Sequence, residues 1–137
     1  MNEYAVADVS VGMAQEFSVT VTTGMTTRFV EISNDVNPLH VDEHYADDKG
    51  FRDRVVHGML TSAFYSTLVG VYLPGKYCLL QGIKITFHHP VFAGDHLKVR
   101  GEVTHVSEAL RVMTVRGSIT NQNGDTVSKA QIQVGFI

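Results

Sequence analysis

A short polar segment holds the residues best suited to chemistry. Asp35 and His40 lie five positions apart, with Pro38 between them. An unbroken helix would place these two side chains on poorly matched faces. Because proline ends a helix and disfavours the helical conformation of Asn37 before it, the chain can fold back and turn the carboxylate and the imidazole toward one small molecule. Such a pair could hold a water molecule and remove a proton from it. The alternative is an ordinary turn stabilised by Asp35, with His40 on the surface.

A second feature is the His57-Gly58 pair, within a span free of charged residues that runs from Val55 to Gly75. The first N–H groups of a helix lack partners within the helix and carry partial positive charge. Gly58 has no Cβ, so a ligand oxygen could approach those groups closely. That would suit a carbonyl oxygen that becomes an enolate. A plain helix start with a glycine is the alternative.

Other kinds of site have weaker support in the sequence. His40 and His44 lie four positions apart with Asp42 between them, but Pro38 argues against a helix that would align the two histidines, and no further ligand lies at a natural spacing. His88 and His89 are adjacent on a predicted strand and therefore point to opposite faces. Cys78 is the single cysteine, which excludes an internal disulfide framework. Neither a glycine-rich phosphate loop nor a G-x-S-x-G elbow occurs, so we expect no metal and no cofactor.

The composition bounds the class of protein. The chain has 137 residues, of which 44% are hydrophobic and 18% charged, and we expect one domain over residues 1–137. A net charge of −3 provides no basic excess for a nucleic-acid backbone. The N-terminus lacks the basic and apolar regions of a signal peptide. The uncharged span contains polar side chains and ends at Pro74-Gly75, which favours a buried helix over a membrane crossing. We therefore expect a cytoplasmic protein with no nucleic-acid or membrane partner.

The spacing of apolar residues predicts the elements that position these side chains. One strand, a helix that stops before Pro38, a loop with a short helix and a long uncharged helix are predicted in turn over residues 17–22, 24–34, 41–51 and 58–73. Four alternating strands follow near residues 82–88, 97–104, 113–120 and 129–136. Asn123-Gly124 is a strong hairpin signal before the last strand.

These elements suggest one architecture. Short connections favour antiparallel pairing between consecutive strands. Each strand has one apolar face, and the helix over 58–73 is apolar nearly all round, so it needs cover on most sides. We predict an α+β fold in which one curved antiparallel sheet wraps around that helix. A sheet of this kind has a free edge, and we therefore expect a homodimer.

Two motifs resemble a known family. The stretch D-x-N-P-L-H-x-D at 35–42, followed by Phe51 and by V-H-G-M-L at 56–60, resembles the MaoC-like hydratases, which include (R)-specific enoyl-CoA hydratases. Residues 90–95 resemble a later strand–turn element of that family, so the likeness covers nearly the whole chain. Asn34 departs from the pattern, since many members have Gly or Glu there. The resemblance implies the hot-dog fold, a curved antiparallel sheet around a central helix.

The resemblance also implies what the site residues do. The aspartate and histidine of the first motif would hold the catalytic water, and the glycine N–H of the second would bind the thioester oxygen. A serine farther along the helix would support the site, and the asparagine would brace the loop. Six residues form the predicted site, two catalytic and four that bind substrate or support the site: Asp35 and His40, then Gly58, Ser66, Asn37 and His57.

The implied reaction is reversible addition of water to a trans-2-enoyl thioester, giving an (R)-3-hydroxyacyl thioester. Coenzyme A or an acyl carrier protein would carry the substrate, and which catalytic residue protonates C2 stays open. The alternatives are a biosynthetic 3-hydroxyacyl-carrier-protein dehydratase, a hot-dog acyl-CoA thioesterase and a non-catalytic protein that binds acyl thioesters. Four basic residues could cluster at the site mouth: Arg52, Arg54, Lys76 and Lys84. Four residues could line the end of the acyl pocket or simply pack in the core: Leu60, Phe64, Tyr65 and Leu68.

Overall fold

The computed structural model describes residues 1–137 and contains one five-stranded antiparallel sheet curved around a central helix. The strands are β1 (Ala14–Thr20), β2 (Cys78–Phe87), β3 (His96–Ser107), β4 (Val112–Thr120) and β5 (Thr126–Phe136). They lie in the order β1-β3-β4-β5-β2. The helices are α1 (Thr23–Ser33), α2 (Pro38–Val41), α3 (Glu43–Asp48) and α4 (Gly58–Thr67). The predicted α+β fold, a sheet wrapped around one helix, is confirmed.

Two sheet glycines let the central helix α4 and the turn after it approach the sheet closely. A methyl group added at Gly117 would lie 2.6 Å from the Tyr65 ring, and one at Gly101 would lie 2.7 Å from Leu68. Both of these side chains are fully buried. The Tyr65 hydroxyl also forms a 2.9 Å hydrogen bond with the hydroxyl of Ser128 on β5. The middle of the helix is therefore fixed against the sheet by close packing and by a buried hydrogen bond.

The position of β2 differs from the prediction. Consecutive strands pair in β3-β4 and β4-β5, but β2 pairs with β5 and not with β3. The connection over residues 88–95 spans three strand spacings, roughly 14 Å, and eight extended residues can reach roughly 26 Å. A short connection therefore did not require β2 and β3 to be neighbours. As a result, β1 and β2 are the edge strands.

The role predicted for Pro38 is also corrected. Helix α1 ends at Ser33, because Asn34 adopts the left-handed conformation with a φ of 56°. Asparagine tolerates that conformation, as glycine does, and it commonly ends helices. Pro38 instead begins α2, where its missing N–H costs nothing. The side chain of Asn37 caps that helix by accepting a hydrogen bond from the N–H of Leu39 at 3.0 Å.

The long uncharged helix has two parts. It is α-helical from Gly58 to Thr67 and continues as a π-helix from Leu68 to Tyr72. No helix of the structure has both the length and the apolar character needed to cross a membrane.

One stripe of α4 is exposed, although burial on most sides was predicted. Met59, Ala63 and Ser66 lie on this stripe, and Met59 is 63% exposed. On the neighbouring edge strand β2, Ile83 and Phe87 are 40% and 48% exposed. The chain by itself therefore covers α4 incompletely and leaves apolar surface along α4 and β2.

Candidate active site

The loop between α1 and α2 carries Asp35. Its backbone N–H donates to the Ser33 hydroxyl at 3.2 Å, and one carboxylate oxygen accepts from the N–H of Asn37 at 3.2 Å. The carboxylate is 49% exposed, so its other oxygen remains open to a ligand. His40 follows on α2, and one ligand atom from each of Asp35, His40 and His57 lies within 4.8 Å of the other two. The structure thus brings the predicted acid and imidazole together.

This spacing suits a bound water molecule. A water that donates one hydrogen bond of about 2.8 Å to each of two acceptors holds those acceptors roughly 4.5 Å apart. An Asp35 carboxylate oxygen and a His40 ring nitrogen lie no more than 4.8 Å apart, a limit that includes this separation.

The hydrogen bonding of His40 fixes its tautomer. Its Nδ1 lies 2.6 Å from the carbonyl oxygen of Val55. A carbonyl oxygen can only accept, so Nδ1 carries the hydrogen and Nε2 of the neutral ring carries a lone pair. His40 therefore presents an acceptor at Nε2, which is what a base or a water-holding residue requires.

His57 lies under the pair. Its side chain is 2% exposed, and its Nε2 donates to the carbonyl oxygen of Asp35 at 3.0 Å. Its ring stacks on the His40 ring with centroids 3.9 Å apart, and the Phe29 ring lies against it at 4.9 Å. The Nδ1 of His57 is buried without a partner.

Gly58 starts α4 directly after His57, so its N–H group has no partner within the helix. A methyl group at this position would lie 3.0 Å from the Phe87 ring. The missing side chain thus lets an aromatic ring lie over the start of the helix. Because the first N–H groups carry partial positive charge, this end of α4 can stabilise a ligand oxygen.

A cavity of about 580 Å³ joins these groups. Its polar lining includes Asp35, His40, His57 and Gly58. Its other walls are mainly apolar or aromatic, formed by Phe51, Val55, Val56, Met59, Thr61, Phe87, His88, His89, Pro90, Val91 and Val127. A cavity of this size with a few convergent polar groups is typical of a small-molecule site.

The sequence profile of the MaoC-like domain family matches residues 7–126. The chain belongs to this family. The (R)-specific enoyl-CoA hydratase of Aeromonas caviae is 38% identical over 96 residues, which are 70% of this chain and 72% of that protein. An enzyme of the same name from Rhodospirillum rubrum is 31% identical over 113 residues, 82% of this chain and 78% of its own length. The solved (R)-hydratase from A. caviae, described as involved in PHA biosynthesis, superposes with a TM-score of 0.89 at 32% identity, covering 94% of this chain and 98% of that one. The predicted family and its hot-dog fold are both confirmed.

Two of the predicted site residues of this MaoC-like chain lie outside the cavity wall. Asn37 caps α2 and donates its N–H to the Asp35 carboxylate, so it contacts the loop and not the cavity. Ser66 lies on the exposed stripe of α4, two turns beyond Gly58. Its predicted supporting role stays a prediction.

The structure decides between the two interpretations of the four residues considered for the end of the acyl pocket, and it favours core packing. None of the four lines the cavity. Leu60, Tyr65 and Leu68 belong to the buried core, and Phe64 packs against it. The side of α4 that carries them faces the sheet, whereas the cavity lies at the helix start.

The aromatic walls are the part of the site that the sequence reasoning missed. Phe87 ends strand β2, where period-2 alternation indicated only a core position. Its position one residue before His88-His89 and Pro90 was a usable signal, since strand ends commonly border sites. Phe29, which lies against the His57 ring, belongs to the helix predicted over residues 24–34, and no role in the site was predicted for it.

The cluster of Asp35, His40 and His57 does not suit a metal ion. The Nε2 of His57 donates its hydrogen to the Asp35 carbonyl oxygen and so offers no lone pair to a zinc ion. The two imidazole planes differ by only 29°, so their in-plane lone pairs run nearly parallel and do not converge.

Cys78 lies apart on β2, and burial raises the pKa of its thiol, which disfavours the reactive thiolate.

Proposed function

We propose that this MaoC-like chain is a hydro-lyase that reversibly hydrates trans-2-enoyl-CoA to (R)-3-hydroxyacyl-CoA. The observation that carries the proposal is the placement of an Asp35 carboxylate oxygen and a His40 ring nitrogen within 4.8 Å of each other. Both line one cavity together with the start of α4 at Gly58. The two relatives described above act, by their names, on enoyl-CoA with (R) specificity, which supports both the reaction and its stereochemistry.

The Asp35 carboxylate and the lone pair on His40 Nε2 can together carry out the addition of water. Asp35 removes a proton from the bound water while the lone pair on His40 Nε2 orients it. The water oxygen forms a bond to C3, and the C2–C3 π electrons move toward the thioester oxygen to give an enolate. The hydrogen on His40 Nδ1 is held by the Val55 carbonyl, so the proton that the base has taken is the one available to C2. The base of the first step therefore acts as the acid of the second.

The start of α4 stabilises the enolate. The Gly58 N–H has no helical partner and can donate to the thioester oxygen as negative charge develops there. One such donor typically contributes about 3–4 kcal/mol to lowering the barrier. Phe87, which lies over Gly58, excludes water from one side of that hydrogen bond.

Coenzyme A is supported as the carrier by the names of the two relatives, whereas the charges near the site do not favour either carrier. The four basic residues predicted near the mouth are absent from the cavity lining. Arg52 forms a 3.1 Å ion pair with Asp95, and Lys76 pairs with Glu3 at 3.2 Å. A second depression, next in sequence to His40 and Phe51, carries four carboxylates: Asp42, Glu43, Asp47 and Asp53. These would repel an acidic carrier protein and the phosphates of coenzyme A alike.

The first test is the hydration of crotonyl-CoA, measured as the loss of the ultraviolet absorbance of the enoyl thioester. Asp35→Asn keeps the shape of the side chain and removes its basicity, so we expect kcat/KM to fall about 1000-fold. Glu108→Gln, an exposed change in the turn after β3, is the matched control and should keep full activity. An active Asp35→Asn variant would contradict the mechanism, and chiral analysis of the product tests the (R) outcome.

A thiol assay on the same samples separates the alternatives. Hydration leaves the thioester intact, whereas a thioesterase releases free coenzyme A. Tight binding of enoyl-CoA without either change would indicate a binding protein. Equal turnover of a carrier-protein thioester would contradict the preference for coenzyme A. The cytoplasmic location stays a prediction.

We also propose that two copies pair through the surface formed by β2 and the exposed stripe of α4. Ile83 and Met59 leave apolar area uncovered there, and the outer edge of β2 has unpaired backbone groups. Such edges are usually covered by another strand or chain. Ile83→Asp should yield monomers in sedimentation experiments, whereas Leu110→Asp, an equally apolar and more exposed residue in a turn, should not. A dimeric Ile83→Asp variant would argue against this interface.

A further inference from the structure

His57 contacts both proposed catalytic residues, although it is almost completely buried. Its Nε2 lies 3.0 Å from the carbonyl oxygen of Asp35 and 3.9 Å from that residue's carboxylate. Its ring is held between the rings of His40 and Phe29, at 3.9 Å and 4.9 Å. Asn37 also bonds to both members, but through its backbone, whereas His57 contacts both with its side chain.

The partner of Nε2 fixes the tautomer of His57. A carbonyl oxygen can only accept, so Nε2 carries the hydrogen and Nδ1 carries the lone pair. Nδ1 is buried and unpartnered. The ring hydrogen is therefore already used by Asp35, and neither ring nitrogen has a hydrogen to offer a thioester oxygen. This differs from the sequence-based expectation that His57 binds substrate.

The hydrogen bond joins the catalytic loop to the central helix. The other hydrogen bonds of Asp35 are local, to Ser33 and Asn37 at 3.2 Å each. The bond to His57 spans 22 positions in the sequence and ends beside Gly58. It therefore sets the distance between the carboxylate and the N–H groups at the start of α4.

The stacked ring of His57 sets a second distance, the one between the Asp35 carboxylate and the His40 ring. His40 is held on one side by its bond to the Val55 carbonyl, and its face rests on His57. A side chain that is anchored to Asp35 and stacked on His40 keeps those two acceptors at the separation that a bridging water needs. Supporting contacts of this kind commonly decide whether catalytic groups lie in a productive geometry.

We propose that His57 is a positioning residue that holds the Asp35 carboxylate and the His40 ring in register and does not itself bind substrate. This inference rests on the proposed hydration of enoyl-CoA. Removing the N–H of His57 should misplace the Asp35 carboxylate and the His40 ring and leave substrate binding nearly unchanged. The effect should therefore appear in kcat and not in KM.

Two variants separate the hydrogen bond from the ring. His57→Phe keeps a ring to stack on His40 but loses the donor, and we expect kcat to fall about 10- to 100-fold with KM changed less than about threefold. His57→Gln keeps an N–H near the position of Nε2, and its kcat should exceed that of His57→Phe by at least about fivefold. His105→Phe, an exposed change on β3 outside the cavity, is the control and should behave as the wild type.

Thermal unfolding of each variant separates positioning from folding. A purely structural role would lower the melting temperature of both variants and leave kcat per folded molecule unchanged, which would overturn the proposal. A His57→Gln variant no more active than His57→Phe, or a His57→Phe variant with normal kcat, would also overturn it.

A measurement without substrate keeps this inference distinct from the proposed function. In the wild-type protein labelled with ¹⁵N-histidine, the His57 resonances should report a hydrogen on Nε2, assigned by their loss in His57→Gln. A hydrogen on Nδ1 would overturn the positioning role whatever the activity. Absence of crotonyl-CoA hydration by the wild type, with the Nε2 tautomer present, would instead overturn the proposed function and leave the contact between His57 and Asp35 established.

Discussion

Two glycines in this molecule each make room for an aromatic ring, with different results. At Gly117 an added methyl group would meet the Tyr65 ring at 2.6 Å, and the Tyr65 side chain is fully buried against the sheet. At Gly58 it would meet the Phe87 ring at 3.0 Å, and that ring is 48% exposed beside the cavity. The same packing device thus fixes the middle of α4 and leaves its first turn adjustable.

Buried polar groups follow the same division. The hydroxyls of Tyr65 and Ser128 satisfy each other at 2.9 Å. The ring of His57 uses one nitrogen and leaves the other without a partner. Native proteins rarely leave buried polar atoms unpaired, and the exceptions concentrate where function requires a particular side chain. The difference between the two regions therefore separates residues that maintain the fold from residues that serve the site.

The largest effect on stability should come from Gly117→Ala. The Tyr65 ring is enclosed and cannot move away from the new methyl group, so we expect a loss of about 3 kcal/mol in the free energy of unfolding. Urea denaturation measures it. Gly70→Ala is the matched control, because an added methyl group there meets no atom within 4 Å. A loss at Gly117 no greater than the control's would show that the middle of α4 is not tightly packed.

Tyr65→Phe should cost less, about 2 kcal/mol, because it leaves the buried Ser128 hydroxyl without a partner. The value of kcat/KM for the folded variant should equal that of the wild type. The double variant Tyr65→Phe/Ser128→Ala removes both hydroxyls and should recover part of the lost stability. A marked fall in kcat/KM would break the proposed separation between the two regions.

Gly58→Ala should affect stability least of the three substitutions, by less than about 1 kcal/mol, because the half-exposed Phe87 ring can move aside. The displaced ring and the methyl group should crowd the helix start, so we expect kcat/KM to fall about 10-fold, or about 1.4 kcal/mol. Adding Phe87→Ala should restore part of the rate. A loss of stability as large as that of Gly117→Ala would mean that both rings are equally fixed.

The smallest effect concerns alkaline pH. Burial raises the pKa of Tyr65 from 10.0 to about 12, an effect that its hydrogen bond with Ser128 partly opposes. Between these values the unfolded chain has released the proton that the folded chain still holds, so this contribution to stability is present below pH 10 and declines as the pH rises. The free energy of unfolding, measured at about pH 9 and about pH 11, should therefore fall more in the wild type than in Tyr65→Phe. An equal fall in the free energy of unfolding of the two proteins would show that burial does not raise the pKa of Tyr65.

Local patterns predicted much of the fold. Alternation identified all five strands, because each has one face toward the core, and the span without charges identified the central helix. The position of β2 at an edge was not predictable, since it depends on which strand β5 pairs with. The end of α1 was predicted to within one residue, but its cause was not, because the left-handed conformation of Asn34 depends on the loop that follows.

The site was predictable where chemistry and spacing coincide. Asp35, His40 and Gly58 lie together because a loop and a helix start bring them to one cavity. The contact between His57 and the Asp35 carbonyl could not be inferred, because any residue type would provide that carbonyl. The same applies to the Phe87 wall, whose position depends on the curvature of the whole sheet.

Phe87 belongs both to the free border of the sheet and to the wall beside the helix start. In the proposed dimer, a second copy would lie along this border beside the ring, next to the space proposed for the acyl group. Assembly and turnover would then be linked through one side chain, and the specific activity of the protein should change with its concentration until every border is occupied.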